Sequence, residues 1–313
     1  MWSTPVSIPE NEVLTIRAGS GALQEIWQEW RAREKTFPYR GNTIAYHDEG
    51  RGEVLVCIHG FPSSSWDWHR VWPALTSRFR VIAADMIGFG YSAKPRDYTY
   101  SLLDQANLHE ALLRTLEVDR IHVLAHDYGD SVAQELLARH HEGRLPFAIK
   151  SVCLLNGGII PGKHRPRMMQ RLLISPLGPI IGPMLRYGGF CRSFSAIFGP
   201  GTKPTEEELE LYWREIQHRE GALVVHKLIR YMAERRTHYQ RWVGVLRKNE
   251  VPLSLVFGEA DPVSGLHMLE AFRAENPEAT AVCLKGIGHY PQVEAPGDVL
   301  RHFLAMHAGL RTY

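Results

Sequence analysis

Short, mostly apolar runs recur along the chain, and each stops at a polar or glycine-rich corner. Residues 54–58 (Val-Leu-Val-Cys-Ile) run into His59-Gly60-Phe61-Pro62, and residues 80–84 into Asp85-Met86-Ile87-Gly88. Residues 121–125 stop at His126-Asp127-Tyr128-Gly129, and residues 151–155 at Asn156. Residues 253–257 lead into Gly258-Glu259-Ala260-Asp261-Pro262, and residues 281–284 into Gly286-Ile287-Gly288-His289. Apolar runs of this length without alternation are the pattern of strands covered on both faces, as in a parallel sheet. Helical spacing over 101–116 and 130–139 separates them, so the chain reads as βα units with right-handed crossovers and ligands at the strands' carboxyl ends.

The flanks fit the same plan. Residues 1–19 are polar with Pro5 and Pro9 and read as a loosely held arm; Leu23, Ile26, Trp27 and Trp30 predict a short helix over 20–33, with Ser20 as its cap. Residues 37–47 alternate around Gly41-Asn42, the signature of a hairpin at a sheet edge. Trp66, Trp68 and Trp72 share a helical segment whose default role is packing. From residue 157 to 242 the alternation stops, seven prolines intervene, and helical patterns follow over 205–217 and 222–235. An insertion between two sheet strands at the catalytic end reads as a helical lid. The expected layout is an arm and helix over 1–36, a core over 37–156 and 243–313, and a cap over 157–242, with a closing helix over 297–306.

Asp127 occupies a strand-to-helix corner, where a side chain is thrust out over the first N–H groups and positive dipole end of the helix. An Asp there could simply cap the helix. Asp127, Asp261 and His289, however, follow in the order nucleophile, acid, histidine, each just past an apolar strand, and can converge only if those strands share one sheet. A carboxylate at the corner attacks sp3 carbon and forms an alkyl ester, which His289, polarised by Asp261, would cleave by activating water. Gly60 lets the backbone turn beneath a ligand, so the N–H of Phe61 can join that of Tyr128 in holding the oxyanion. His59, Gly60, Trp66 and Trp213 are the expected pocket residues.

Composition narrows the partners. Lys+Arg 36 against Asp+Glu 34 gives a net charge of +2, so no global field favours nucleic acid or an anionic membrane. His164-Arg165-Pro166-Arg167 and Glu234-Arg235-Arg236 read as solvated faces. Cys57, Cys153, Cys191 and Cys283 lack metal spacing, and three of them lie in apolar runs, which implies buried, reduced thiols and a cytoplasmic enzyme. No basic stretch precedes an apolar run at the N-terminus and no window is apolar enough for a membrane span, so neither secretion nor membrane insertion is expected. No cofactor or metal is expected, since the sixteen histidines show no ligand pair in a supporting context. The expected partners are a small apolar electrophile and water; the pattern does not fix an oligomeric state.

From about residue 37 to 303 the chain resembles the α/β-hydrolase superfamily in its epoxide hydrolase and haloalkane dehalogenase branch. The elbow His126-Asp127-Tyr128-Gly129-Asp130, the stretch Asn156-Gly157-Gly158-Ile159 followed by His164-Arg165-Pro166, and Arg241-Trp242-Val243-Gly244 also resemble the mesoderm-specific transcript hydrolases of vertebrates. Without the hydrophobic N-terminal segment of those proteins, a soluble relative of bacterial type is expected. The resemblance implies a mostly parallel eight-stranded sheet flanked by helices, with a helical cap inserted after the sixth strand. It also implies the triad Asp127, Asp261 and His289 and the oxyanion donors Phe61 and Tyr128.

The two branches differ in how the leaving atom is stabilised. An epoxide oxygen needs proton donors, which the epoxide hydrolases resembled supply as lid tyrosines; Tyr187 and Tyr231 are the candidates here, with Tyr239 as an alternative. A halide needs indole or amide N–H groups, which the dehalogenases resembled place after the His-Gly pair or after the nucleophile. Those places hold Phe61 and Tyr128, which favours epoxide hydrolysis; Trp66, Trp213 and Trp242 keep haloalkane or haloacid dehalogenation as the alternative. A low-turnover receptor for small molecules is the alternative of another class.

Overall fold

The computed structural model describes residues 21–248 and 250–310; the expected arm and the Ser20 cap lie outside them. Eight strands form one sheet: β1 (Lys35–Tyr39), β2 (Asn42–Gly50), β3 (Val54–Ile58), β4 (Arg80–Ala84), β5 (Arg120–His126), β6 (Ala148–Leu155), β7 (Leu253–Gly258) and β8 (Thr280–Leu284). Their order is β1-β2-β4-β3-β5-β6-β7-β8, with the β1-β2 hairpin antiparallel and β3 to β8 mutually parallel. β3 shows why its run was unbroken: Val56 and Ile58 enter one apolar cluster, Leu55 and Cys57 the other, on opposite faces. The hairpin turn is Arg40-Gly41, one residue earlier than expected, because Asn42 already pairs with Tyr39; both turn residues have positive φ (49° and 76°). Cys57 and Cys153 are buried, Cys283 on the edge strand β8 is half-buried, and all four thiols are free.

Helices cover both faces. Ser101 Oγ accepts the Asp104 N–H at 3.0 Å and caps Leu102–Thr115. The helix Tyr128–His141 is buried for most of its length, and Pro296–Leu310 closes the fold. Between β6 and β7 the chain is helical: Met168–Ile174, Gly178–Ile181, Tyr187–Ser195, Glu206–Gln217, Val225–Leu228 and Tyr231–Thr237 precede Tyr239–Leu246. This last helix lies along Tyr128–His141, since Gln134 Nε2 donates to Trp242 O (3.0 Å) and Trp242 Nε1 to Glu135 Oε2 (2.9 Å).

The continuous helix expected over 222–235 is broken. A 3-10 segment, His218–Leu223, carries Arg219 and Glu220 at φ 50° and 57°, ahead of the two short helices. Lys94 closes the end of the preceding helix, Glu206–Gln217. Its ammonium, nearly buried, donates to the carbonyls of Gly90, Glu215 (3.2 Å) and His218 (2.8 Å), so carbonyls at the end of that helix are bound by the core.

Glu215 joins the same contact, accepting from Ser64 Oγ and, at 3.2 Å, from Trp27 Nε1. Burial, reinforced by the nearby Asp85, pushes its carboxyl up to about 8. A carboxyl whose folded value lies above its unfolded one favours folding while protonated, and that contribution is lost as pH rises from about 4.5 through about 8. Glu215→Gln keeps the shape of the protonated acid. Its thermal midpoint should therefore gain on the parent by several degrees between pH 5 and pH 8, read by differential scanning calorimetry. A constant difference across that range would mean that Glu215 does not titrate there.

Candidate active site

The elbow after β5 is strained. Asp127 sits at φ 47°, ψ −102°, a region that costs a non-glycine residue about 1–3 kcal/mol and persists only where its surroundings hold it. They do so at three points: Asp127 N donates to Leu155 O (3.0 Å), Asp130 N to Asp127 O (3.2 Å), and Arg235 Nη2 to Asp127 O (2.8 Å). Gly129 lets the helix start close to β3, for a Cβ there would fall 2.3 Å from Ile58 O. The Asp127 carboxylate is thus presented at the carboxyl end of the central strand.

Phe61 N–H donates to Asp127 Oδ2 at 3.2 Å, and His289 Nε2 lies 3.8 Å from the same oxygen. On its other side His289 Nδ1 donates to Asp261 Oδ2 at 2.7 Å, which turns Nε2 toward Asp127. The loops after β3, β5, β7 and β8 therefore bring Phe61, Asp127, Asp261 and His289 together. Tyr128, whose N–H begins the elbow helix, packs its ring against Phe89 and Tyr231 (centroids 5.3 and 5.0 Å).

Asp127 is buried, which alone would raise its carboxyl, but His289, 3.8 Å away, and then the charge of Arg235 hold it below the usual range. Burial likewise works against the charge on His289, and Asp261 with Asp127 reverses that and raises the imidazole well above its ordinary value. Burial works against ionised Asp261 too, and His289 and Asn156 outweigh it, so Asp261 stays low. His289 thus lies between two carboxyl groups, both of which favour its charged form.

Two polar partners of the triad were not anticipated. Asn156, at φ 45° just past β6, donates to Asp261 Oδ2 (2.8 Å) while its own Oδ1 accepts from Gly258 N (2.8 Å), fixing the acid against the end of β7. The Asn156-Gly157-Gly158 corner was the available signal. Arg235 was read as solvated with its neighbours; instead it is 2% exposed, donates to Ser131 Oγ (2.7 Å) and stands 3.8 Å from Asp127 Oδ1. Gly158 makes room for it, since a Cβ there would meet Arg235 Nη1 at 2.4 Å. The adjacent Glu234 accepts the N–H groups of Leu102 and Leu103, so only Arg236 of that trio is exposed.

An apolar pocket lies over this centre, walled by Phe61, Pro62, Leu173, Phe194 and Trp213 and reaching His289. Of the expected pocket residues, Trp213 lines it. Trp66 does not: it is fully buried, stacked on His69 at 4.1 Å and packed edge-on to Trp30, because the 3-10 turn Ser65–Trp68 directs it into the core. His59 is also behind the site, its Nε2 accepting from Met86 N (3.0 Å) and its Nδ1 donating to Gly60 O (2.8 Å), so that it braces the loop.

The cap tyrosines separate. Tyr231 is buried over the elbow, beside Tyr128 and Phe61 (5.9 Å), with the Arg235 guanidinium over its ring. Burial first, and then the Asp127 charge, raise its phenol. Tyr187 is instead on the cap surface, donating to Glu206 Oε1 at 2.6 Å, and Tyr239 begins the helix that packs on the core. One trio, Glu53, His122 and His307, brings possible metal-ligand atoms within 4.8 Å of one another, but it stands at the start of β3 and β5, the opposite end of the sheet from Asp127.

A doubly covered sheet of this strand order, with an elbow after β5 and a carboxylate-bound histidine after β8, is the framework of a hydrolase. The chain belongs to the alpha/beta hydrolase fold family, which residues 53–296 match. It is 42% identical over 287 residues to the mesoderm-specific transcript protein of Mus musculus, covering 88% of this chain and 86% of that one. It is also 41% identical over 270 residues to the putative hydrolase LipZ of Mycobacterium tuberculosis, covering 86% and 93%. Among solved structures, haloalkane dehalogenase DbeA from Bradyrhizobium elkani superimposes with a TM-score of 0.75 at 25% identity over 89% of this chain and 98% of that one.

Proposed function

We propose that this hydrolase opens an epoxide to a vicinal diol through an ester on Asp127. The observation that carries the reading is the strained Asp127, with Oδ2 on the Phe61 N–H and His289 bound to Asp261 behind it. Oδ1 attacks the less hindered ring carbon while Oδ2 remains in the N–H cradle as the ester carbonyl oxygen. The C–O bond of the ring breaks, and its oxygen takes a proton from Tyr231. Ester formation removes the Asp127 charge, so His289 loses one of the two carboxylates that hold its proton. That proton restores the Tyr231 phenolate, and neutral Nε2 then takes a proton from water, which attacks the ester carbonyl. The tetrahedral oxyanion rests on the N–H groups of Phe61 and Tyr128, where each donor is worth about 2.7–4 kcal/mol. Its collapse breaks the ester C–O bond, the diol oxygen takes the proton from His289, and the Asp127 acid returns its own to the imidazole.

Tyr231 favours an oxygen leaving group over a halide: it is the cap tyrosine over the elbow, whereas the Trp242 indole is committed to Glu135. Haloalkane dehalogenation is the second reading, supported by the Trp213 indole on the cavity wall and by the dehalogenase neighbour. The test is turnover of a styrene-oxide-type epoxide against bromide release from a short bromoalkane. Tyr231→Phe should slow diol formation about 10²-fold, the usual worth of a positioned acid, and leave any bromide release unchanged. Equal slowing of both would remove Tyr231 from the acid role. Saturable epoxide binding without product would favour a receptor.

A further inference from the structure

Among the described residues, seven large apolar side chains are exposed, and six of them fall between residues 168 and 184: Met168, Leu172, Ile174, Leu177, Ile180 and Met184. Met168, Met184, Ile180 and Leu177 are 57–75% exposed. Helix Met168–Ile174 is apolar on both sides. Met169 and Leu173 face the cavity over the active site, while Met168 and Leu172 face outward; likewise Leu185 lines the cavity and its neighbour Met184 is exposed. A helix apolar all round belongs between two apolar layers, and contiguous exposed apolar surface marks an interaction site. Here the inner layer is the cavity, and the outer one is missing.

The charge of the same segment says what the outer layer is. Residues 157–205 hold Lys163, Arg165, Arg167, Arg171, Arg186, Arg192 and Lys203 and not one Asp or Glu, in a chain whose net charge is only +2. All seven are exposed. Apolar side chains set among unneutralised cations are the composition of surfaces that lie at the boundary of anionic lipid, the apolar groups entering the acyl region and the cations meeting the headgroups. A water-soluble protein partner would require no such excess of positive charge.

We propose that the outward face of residues 163–192 docks this hydrolase on an anionic lipid surface, placing the cavity wall against the bilayer so that an apolar substrate passes from lipid to the active site. No described helix is long and apolar enough to cross a membrane, so the contact is peripheral. The docking requires no particular reaction at Asp127.

Co-sedimentation with vesicles of phosphatidylcholine alone, or mixed with phosphatidylglycerol, tests this. The full-length protein should bind the mixed vesicles at low salt, bind the neutral ones at least tenfold less, and release as salt rises past the point where the screening length drops to about 3 Å. Met168→Ser/Leu177→Ser/Ile180→Ser/Met184→Ser should lose binding at least tenfold while its circular dichroism matches the parent, since all four side chains are already solvent-facing. Arg171→Glu/Arg186→Glu should lose the preference for phosphatidylglycerol. Absence of binding by the parent, or undiminished binding by the serine variant, overturns the proposal. So does a dimer in analytical ultracentrifugation that the serine variant abolishes, because a second copy would then be what covers the face.

Discussion

Mixed with a styrene-oxide-type epoxide, the His289→Gln protein is expected to gain the whole mass of the epoxide and to keep it. The two halves of the proposed reaction make different demands on His289. Ester formation needs an ionised Asp127 and an acid for the departing oxygen; Phe61 N–H at 3.2 Å and the cap residues supply the surroundings for both without the imidazole. Ester hydrolysis needs a base within reach of a water poised over the Asp127 carbonyl, and His289 Nε2, 3.8 Å from Oδ2, is the group so placed. Glutamine preserves volume and a donor toward Asp261 but has no useful basicity. Steady turnover should fall about 10⁴-fold or more, as when the base of a nucleophile–base pair is removed, and about one adduct per chain should accumulate. Intact-protein mass spectrometry reads it directly. An alkyl gain from a bromoalkane with bromide in solution would instead support the dehalogenase reading, and no adduct from either would count against ester chemistry at Asp127.

Replacing Asp127 by Ala should remove turnover and, in combination with His289→Gln, the adduct as well. The loss is set by chemistry: without a carboxylate at the elbow there is nothing to form the ester, so a fall of at least about 10⁴-fold in kcat is expected. Folding should survive, because the change removes one of three charged groups buried together and leaves the three backbone hydrogen bonds of the elbow intact. A thermal midpoint within a few degrees of the parent, together with no product, separates this outcome from unfolding. Retained activity would move the nucleophile elsewhere.

Much of this site was legible because a parallel sheet translates sequence into position. Apolar runs that end at His59, Asp127, Asp261 and His289 had to deliver those residues to one rim once the strands shared a sheet, and the burial of β3, β5 and β7 is what the runs encode. The cap was less legible, for physical reasons that differ by residue. Arg235 lies in a Glu-Arg-Arg-Thr stretch whose period gives no apolar face, and its burial depends on acceptors at Asp127 and Ser131 that lie more than a hundred positions away. Trp66 has the composition of a pocket residue, but a 3-10 turn rather than a full helix aims it at Trp30 and His69. Among Tyr187, Tyr231 and Tyr239, local sequence is uninformative; packing of the helix Tyr231–Thr237 against Tyr128 and Phe61 singles out Tyr231. Contacts distant in sequence, invisible to periodicity, decided each of these.

The cap is fastened unequally. Near its end Glu234 holds the start of Leu102–Thr115 and Arg235 holds the carbonyl of Asp127, while residues 157–205 offer short helices punctuated by proline and glycine. Any opening of the entrance that keeps those two residues in place must bend on the 157–205 side. Substrate range and chemical precision are therefore separable in this chain: mutation along the first half of the cap can drift toward new substrates, generation by generation, without disturbing the residues that hold Asp127.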